Sequence, residues 1–253
     1  IGQLDSKSGN ALRSLYKNFK CPVKTTDMKT AELIKYASNA FLATKITFIN
    51  EIGNFCKTLD IDVNEVAEGM GMDKRIGQQF LQAGIGFGGS CFGKDVSALL
   101  DKSRKTSKIE ILETILGVNE KQPLRIVTLL ESIIKMNKKT IAILGLAFKE
   151  DTDDIRDAPS IPVIRKLLDS GCNIRCYDPK ASENMKKIFP DMDYCRSARE
   201  AIAGSDACLI LTGWKEFKSL TDKDFKAMKG RIIIEGRKIL DKKKVSKFEG
   251  VCW

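Results

Sequence analysis

The sequence predicts an α/β protein: an all-α central domain over residues 1–136, then a Rossmann-like α/β domain with a mostly parallel sheet over residues 137–253. Three observations carry this. Up to about residue 136, apolar residues recur at helical spacing. After it, short β-rich runs alternate with helical ones. At 253 residues and 43% hydrophobic content, the chain can bury the core of one large domain or two ordinary ones.

The elements follow in order. The run "MKTAELIKYASNAFLATKITFINEIGNFCKTLD" from Met28 meets no Gly or Pro before Gly53 and reads as one long helix, with Thr26 or Asp27 as its N-cap. In "DVNEVAEGM", Asp62 and Glu65 have capping-box spacing and start a short helix. A glycine-rich turn precedes "KDVSALLDKSR", a helix beginning near Lys94 or Asp95. "IEILETILGVNEKQPLRIVTLLESIIKMN" is one long helix, or two joined near Pro123. From 137 on, "KKTIAILGLAF", "NIRCYDP", "DACLILTGW" and "RIIIEGRKIL" read as strands. "SIPVIRKLLDSG", "SAREAIAGS" and "DFKAMKG" read as the helices between them.

Composition excludes several classes of function. The longest apolar runs, such as "AILGLAF" from Ala142, are far shorter than the roughly 18 residues of a membrane span. The start "IGQLDSKSGN" has neither a signal-peptide pattern nor an initiator Met, so the chain is expected to be the later part of something longer. The 8 cysteines form no C-x-x-C pair and read as reduced thiols of a cytoplasmic protein. With no histidine, Ser-His-Asp triads, Cys-His dyads and His-ligated metals are ruled out within this chain, and no metal site is expected. The formal charge of +10 is spread over lysines interleaved with acids. It reads as a solvated surface rather than a nucleic-acid interface.

Three constellations could carry chemistry. "GIGFGGSCFGKD" (84–95) contains a literal G-x-G-x-x-G, but it follows no strand and so fails the context test for a dinucleotide loop. What the glycines deliver is Cys91 just before a helix start, where the helix dipole and Lys94 favour a thiolate nucleophile and Asp95 could relay its proton. A buried cysteine beside a flexible turn would look the same. Lys35 and Asn39 share one face of the long helix: they are either a snorkelling lysine with an interhelical hydrogen bond, or paired donors for an oxyanion. "ILGLAFKEDTDDIRDAPS" leaves a strand at the sheet's ligand-binding end. It offers Phe148 to stack, Lys149 for a phosphate and Arg156 as a forked donor, and Arg237 follows another strand to the same rim. Plain surface charges on a loop would show these features too.

Taken together, "KYASNAFLATKITFINE", "GFGGSCFGKD" and "LGLAFKEDTDDIRDAPS" resemble the nucleotide-sugar 6-dehydrogenases, the UDP-glucose/GDP-mannose dehydrogenase family. "GGSCF" with "TDDIRDAPS" is most similar to the UDP-glucose branch and unlike the UDP-N-acetylmannosamine branch, which has a histidine before the cysteine. The resemblance implies oxidation of UDP-glucose to UDP-glucuronate through a thiohemiacetal and a thioester on Cys91, with two NAD⁺ consumed. Lys35 and Asn39 then match the oxyanion-stabilising pair, and Asp95 the acid near the thiol. Phe80, Gln82, Gly84, Gly86, Phe87 and Gly88 match the loop that cradles the UDP-sugar, while Phe148, Lys149 and Arg237 match further nucleotide-sugar contacts. Lys94 and Arg156 match positions near NAD, and Arg75 matches a residue that reaches across a homodimer built on the long helix. Gly93 departs from the proline often found there. The family's N-terminal NAD-binding domain, with its true G-x-G-x-x-G and a catalytic glutamate, has no counterpart in these residues. The chain therefore resembles the central and C-terminal portion and is expected to be inactive alone.

Overall fold

The computed structural model describes residues 1–253. It opens with a parallel pair of two-residue strands, β1 (Gly2–Gln3) and β2 (Thr26–Asp27), on either side of α1 (Ser6–Leu15). This small pair, inside the otherwise helical part, has no alternation long enough to announce it. Asp27 then settles the cap of α2 (Met28–Thr58) by accepting from the Thr30 amide at 3.0 Å. At 31 residues, α2 runs about 46 Å. Its inner face (Ala40, Ala43, Thr47, Asn50, Gly53) is buried, while Ile34, Phe41, Phe48 and Phe55 form an exposed stripe on the other side.

Asp62 caps α3 (Val63–Gly71), but without the reciprocal Glu65 bond of a capping box. Its carboxylate turns instead to the Asn64 amide at 2.9 Å and to Lys238, 3.2 Å away in the sheet-bearing part. Next, α4 (Phe92–Arg104) starts at Phe92 with Cys91 as N-cap, slightly earlier than the sequence suggested. Pro123 separates α5 (Glu110–Lys121) from α6 (Leu124–Ile133), so the segment is two helices.

The sheet part alternates strand and helix as expected, although the helix expected over residues 224–230 lies at Asp222–Phe225, and the helix at Ser182–Lys186 and the strand at Asp193–Tyr194 were not expected. It runs β3 (Thr140–Leu144), α7 (Ser160–Asp169), β4 (Asn173–Tyr177), α8 (Ser182–Lys186), β5 (Asp193–Tyr194), α9 (Ala198–Ile202), β6 (Ala207–Ile210), α10 (Asp222–Phe225), β7 (Ile232–Glu235) and β8 (Glu249–Gly250). The six strands are all parallel, in the order β5-β4-β3-β6-β7-β8. The order reverses at β3, so the crevice beyond the carboxyl ends of β3 and β6 is the position where open parallel sheets hold ligands. The loops leaving β3, β6 and β7 bring Phe148, Lys149, Gly213 and Arg237 to that end.

One hydrophobic core joins both parts, from Ile49 and Cys56 of α2 through Ile85 and α6 to β3, β6 and β7. A smaller cluster gathers Ala40, Ala43, Phe87, Val96, Leu100, Leu112 and Ile115 between α2, α4 and α5. The glycine loop spans the two, with Ile85 in the first and Phe87 in the second. Each such burial contributes about 1.5–3 kcal/mol toward fixing the loop.

Candidate active site at the glycine loop

Close packing, not freedom, dictates the glycines. A Cβ on Gly84 would lie 2.5 Å from the Gly236 carbonyl oxygen, and one on Gly89 would lie 2.6 Å from the Phe148 ring. One on Gly88 would collide with the Asp157 carbonyl. Gly86 and Gly89 also have φ of +91 and +83, where side chains are strained. Three of the loop's backbone N–H groups are spent inside the protein. Gly84 N–H donates to Asn50 Oδ1 at 2.8 Å, Phe87 N–H to Asn119 Oδ1 at 2.9 Å, and Gly89 N–H to the Arg156 carbonyl at 2.8 Å.

Cys91 follows, exposed and unpaired, with Ser90 Oγ 3.8 Å from its sulfur. Its carbonyl accepts the Asp95 N–H at 2.9 Å, the first turn of α4. That turn buries Asp95 to 1% exposure against α2. There, Lys35 Nζ and Asn39 Nδ2 both donate to Asp95 Oδ2, each at 2.6 Å, and Lys94 Nζ lies 3.5 Å from Oδ1. Lys35 and Asn39 thus share a face and an acceptor: Asn39 makes the interhelical hydrogen bond of the first reading, and the exposed Lys35 ends in an ion pair instead of in solvent. Oδ1 has ion-pair proximity to Lys94 but no hydrogen-bond partner. Burial pushes the Asp95 carboxyl upward, but the bonds from Lys35 and Asn39 and the charges of Lys35 and Lys94 outweigh it and hold it below its ordinary value. The bond to Asp95 in turn raises the Lys35 ammonium, against a smaller desolvation, and the charge of Cys91 adds to the rise.

On the other side of the loop, Phe80, Gln82, Gly86, Phe87, Gly88, Phe148, Lys149 and Arg237 line a single open cleft of about 240 Å³, together with Ile46, Phe92, Glu150 and Gly213. Gly84 lies behind this wall, buried against Gly236. Lys149 sits over the Phe148 ring at 5.4 Å. Arg237 donates to the Gly86 carbonyl at 2.8 Å, and burial works against its charge, offset in part by Glu150. Neither cation has a carboxylate within ion-pair distance, and the two outnumber the cleft's one carboxylate, Glu150, so the cleft presents net positive charge to an anionic ligand.

Three residues stand apart. Arg75 is exposed, clamped on Asp73 with its closest approach at 2.5 Å, and lines no part of the cleft. Arg156 likewise spends its fork on Asp154, 2.7 Å away, which raises its guanidinium. It still feels the charge of Cys91, and its carbonyl holds Gly89. Lys94 is exposed beside Asp95.

Sequence reasoning missed the polar groups that fix the site: Asn50, Asn119 and Gln122, which bond to the loop, and Asp178 beneath the Phe148 segment. Asp178 ends β4 and accepts five N–H donors, from Leu146, Ala147, Lys180, Ala181 and the Trp214 indole. A carboxamide within an amphipathic helix, such as Asn50 in "ITFINEIG", was the one available signal.

Two domain descriptions of one family match the chain: the central domain of the UDP-glucose/GDP-mannose dehydrogenase family over residues 29–121, and its UDP binding domain over residues 142–242. UDP-glucose 6-dehydrogenase AglM of Haloferax volcanii is 46% identical over 91% of this chain and 54% of its own length. UDP-glucose 6-dehydrogenase YwqF of Bacillus subtilis is 45% identical over 94% of this chain and 55% of its own length. The structure of a UDP-glucose dehydrogenase from Pyrobaculum islandicum superposes with a TM-score of 0.92 at 35% identity, covering 100% of this chain and 58% of that one. The chain thus spans a little over half the length of these relatives. With both domain matches in chain order and the fold shared throughout, the chain belongs to the UDP-glucose/GDP-mannose dehydrogenase family.

Proposed function

We propose that this chain supplies the UDP-sugar cleft and the catalytic thiol of a UDP-glucose 6-dehydrogenase, which oxidises UDP-glucose to UDP-glucuronate. The observation that carries the reading is spatial. One glycine loop walls a cationic cleft and ends on the exposed thiol of Cys91, beside the Lys35–Asn39–Asp95 cluster, whose carboxylate is buried. The base stacks on Phe148, Lys149 and Arg237 meet the diphosphate, and the sugar's C6 lies toward Cys91. Residues 1–136 and 137–253 act as the central and the UDP-sugar-binding domain.

NAD is the hydride acceptor used by the family. The residues present do not fit a dinucleotide: β3 is followed by a long loop without the glycine fingerprint, and its neighbouring acid, Asp178, has its oxygens occupied by N–H donors instead of being free for a ribose. Lys94 and Arg156 give only exposed positive charge beside Cys91.

What this chain's own groups do is acyl chemistry. In a thioester formed on Cys91 Sγ, water adds to the carbonyl carbon while N–H groups of Lys35 and Asn39 hold the oxyanion. The C–S bond then breaks, one proton of the water passes through Asp95 to the departing sulfur, the other goes to solvent, and the uronate leaves. The bonds from Lys35 and Asn39 keep Asp95 ionised, and Oδ1, which accepts no hydrogen bond, is the oxygen that takes and passes on that proton.

A second copy packs along α2, whose exposed stripe of Ile34, Phe41, Phe48 and Phe55 supports a homodimer in which the partner's Arg75 approaches the cleft. The free thiols support a reducing, cytoplasmic setting. Calorimetric titration tests the reading: UDP-glucose is expected to bind about tenfold or more tighter than GDP-mannose. Equal affinity would overturn the substrate assignment, and binding of neither would overturn the site.

A further inference from the structure

We infer that Asn119, seconded by Gln122, is a positioning residue that holds the glycine loop in its nucleotide-sugar-binding shape. This rests on the cleft being the UDP-sugar site. Phe87 and Gly88 form a wall with space on both sides: the cleft of about 240 Å³ on one, and a second cleft of about 340 Å³ between α5 and α7 on the other. Only Ile85 and Phe87 lock this stretch by side-chain packing, so hydrogen bonds must hold the glycine backbone between and beside them.

Carboxamides provide them as a neighbouring strand would. Asn119 Oδ1 accepts from Phe87 N–H at 2.9 Å and its Nδ2 donates to the Phe87 carbonyl at 3.1 Å, pairing both polar groups of one residue. Near the next turn of the same segment, Gln122 Nε2 donates to the Gly84 carbonyl at 2.7 Å, while Asn50 accepts the Gly84 N–H at 2.8 Å. Asn54 in turn donates to Gln122 Oε1 at 2.8 Å and fixes its orientation. Between these anchors the Gly86 carbonyl is left facing Arg237. A Cβ on Gly86 would come within 2.8 Å of Asn119 Oδ1, so the carboxamide fits only against a glycine here. Asn119 is half-buried at the rim of the second cleft, whereas Gln122 is buried at 1% exposure. Asn119 can therefore be changed without opening the core.

The test compares wild type, Asn119→Leu and Asn119→Asp by calorimetry with UDP-glucose and by amide hydrogen exchange over residues 84–89. Leucine removes both bonds, and is expected to weaken binding and to speed exchange of this segment by about tenfold each. Aspartate keeps the acceptor, and its protonated form restores the donor. Glu120 and Asp157 line the same cleft and favour protonation, while Arg237 on the Gly86 carbonyl opposes it. Asn119→Asp is thus expected to bind about tenfold more weakly than wild type at about pH 8 and to approach it as pH falls to the ordinary carboxylate pKa of about 4, a pH profile that mere space-filling would not give. Wild-type exchange and affinity in Asn119→Leu, or a pH-independent Asn119→Asp, would overturn the inference. If wild type binds no UDP-glucose, the proposed function fails, and the exchange data still decide whether Asn119 holds the loop.

Discussion

Residues 84–89 of the glycine loop and residues 90–95, which run into the first turn of α4, are adjacent in the chain yet opposite in character. The first six are mostly buried, with Ile85 and Phe87 sunk into two different cores and backbone groups tied to Asn50, Asn119, Gln122, Arg156 and Arg237. The next six carry an exposed cysteine and an exposed lysine, and only Asp95 is buried. Under the proposed function the difference separates two tasks. A cradle for a ligand must be rigid before the ligand arrives, while a nucleophile must be reachable by the reacting atom and by water.

The comparison can be broken most forcefully at Gly88. Gly88→Ala drives a Cβ into the Asp157 carbonyl, and overpacking of this kind is expected to cost about 1–3 kcal/mol in denaturant unfolding. In Gly93→Ala the new Cβ meets only the Asp157 carboxylate, at 3.3 Å, and is expected to cost about 0.5 kcal/mol or less. Equal losses would show that the two stretches are not differently constrained.

Asp95 sharpens the comparison at its other end. Asp95→Ala removes the shared acceptor of Lys35 and Asn39, and a loss of about 1 kcal/mol at neutral pH is expected once the exposure of Lys35 is discounted. Since the folded pKa of Asp95 is depressed, its contribution is present above the ordinary carboxylate pKa of about 4 and disappears as pH falls through the folded value. Wild-type and Asp95→Ala unfolding curves measured against pH should therefore converge below about pH 4. A gap that persists in acid would contradict the ion pair.

The thiols give a smaller, site-resolved readout. Burial pushes Cys176 and Cys252 up to about 12. At pH 8 each is then a thiolate roughly once in ten thousand molecules, so brief alkylation followed by peptide mass spectrometry should label Cys91 and Cys21 and spare both. Because these folded pKa values are raised, the stability they lend is full below about pH 8.5 and lost as pH rises toward 12.

How far the sequence could be read follows the same division. Long periodic runs exposed α2, α4–α7 and the four main strands, because burial along a repeating face leaves a pattern in the chain. The two-residue strands β1, β2, β5 and β8 left none, being set by their neighbours. Lys35 and Asn39 were legible as a pair because a helix fixes their common face, and Cys91 because it follows the glycines. Asn119, Gln122 and Asp178 were not: each acts on a segment distant in sequence, and a carboxamide or carboxylate looks alike whether it faces water or a peptide group. The glycines themselves suggested ligand contact, and the structure shows most of them making room for neighbouring backbone and side chains.

The central claim is that the cleft and the thiol are one site. It is tested most directly by following iodoacetamide modification of Cys91 while UDP-glucose is titrated, with Cys21 as internal reference. The account predicts a saturable slowing at Cys91, about tenfold at full occupancy, with no change at Cys21. Slowing that is absent while calorimetry reports bound UDP-glucose would contradict it.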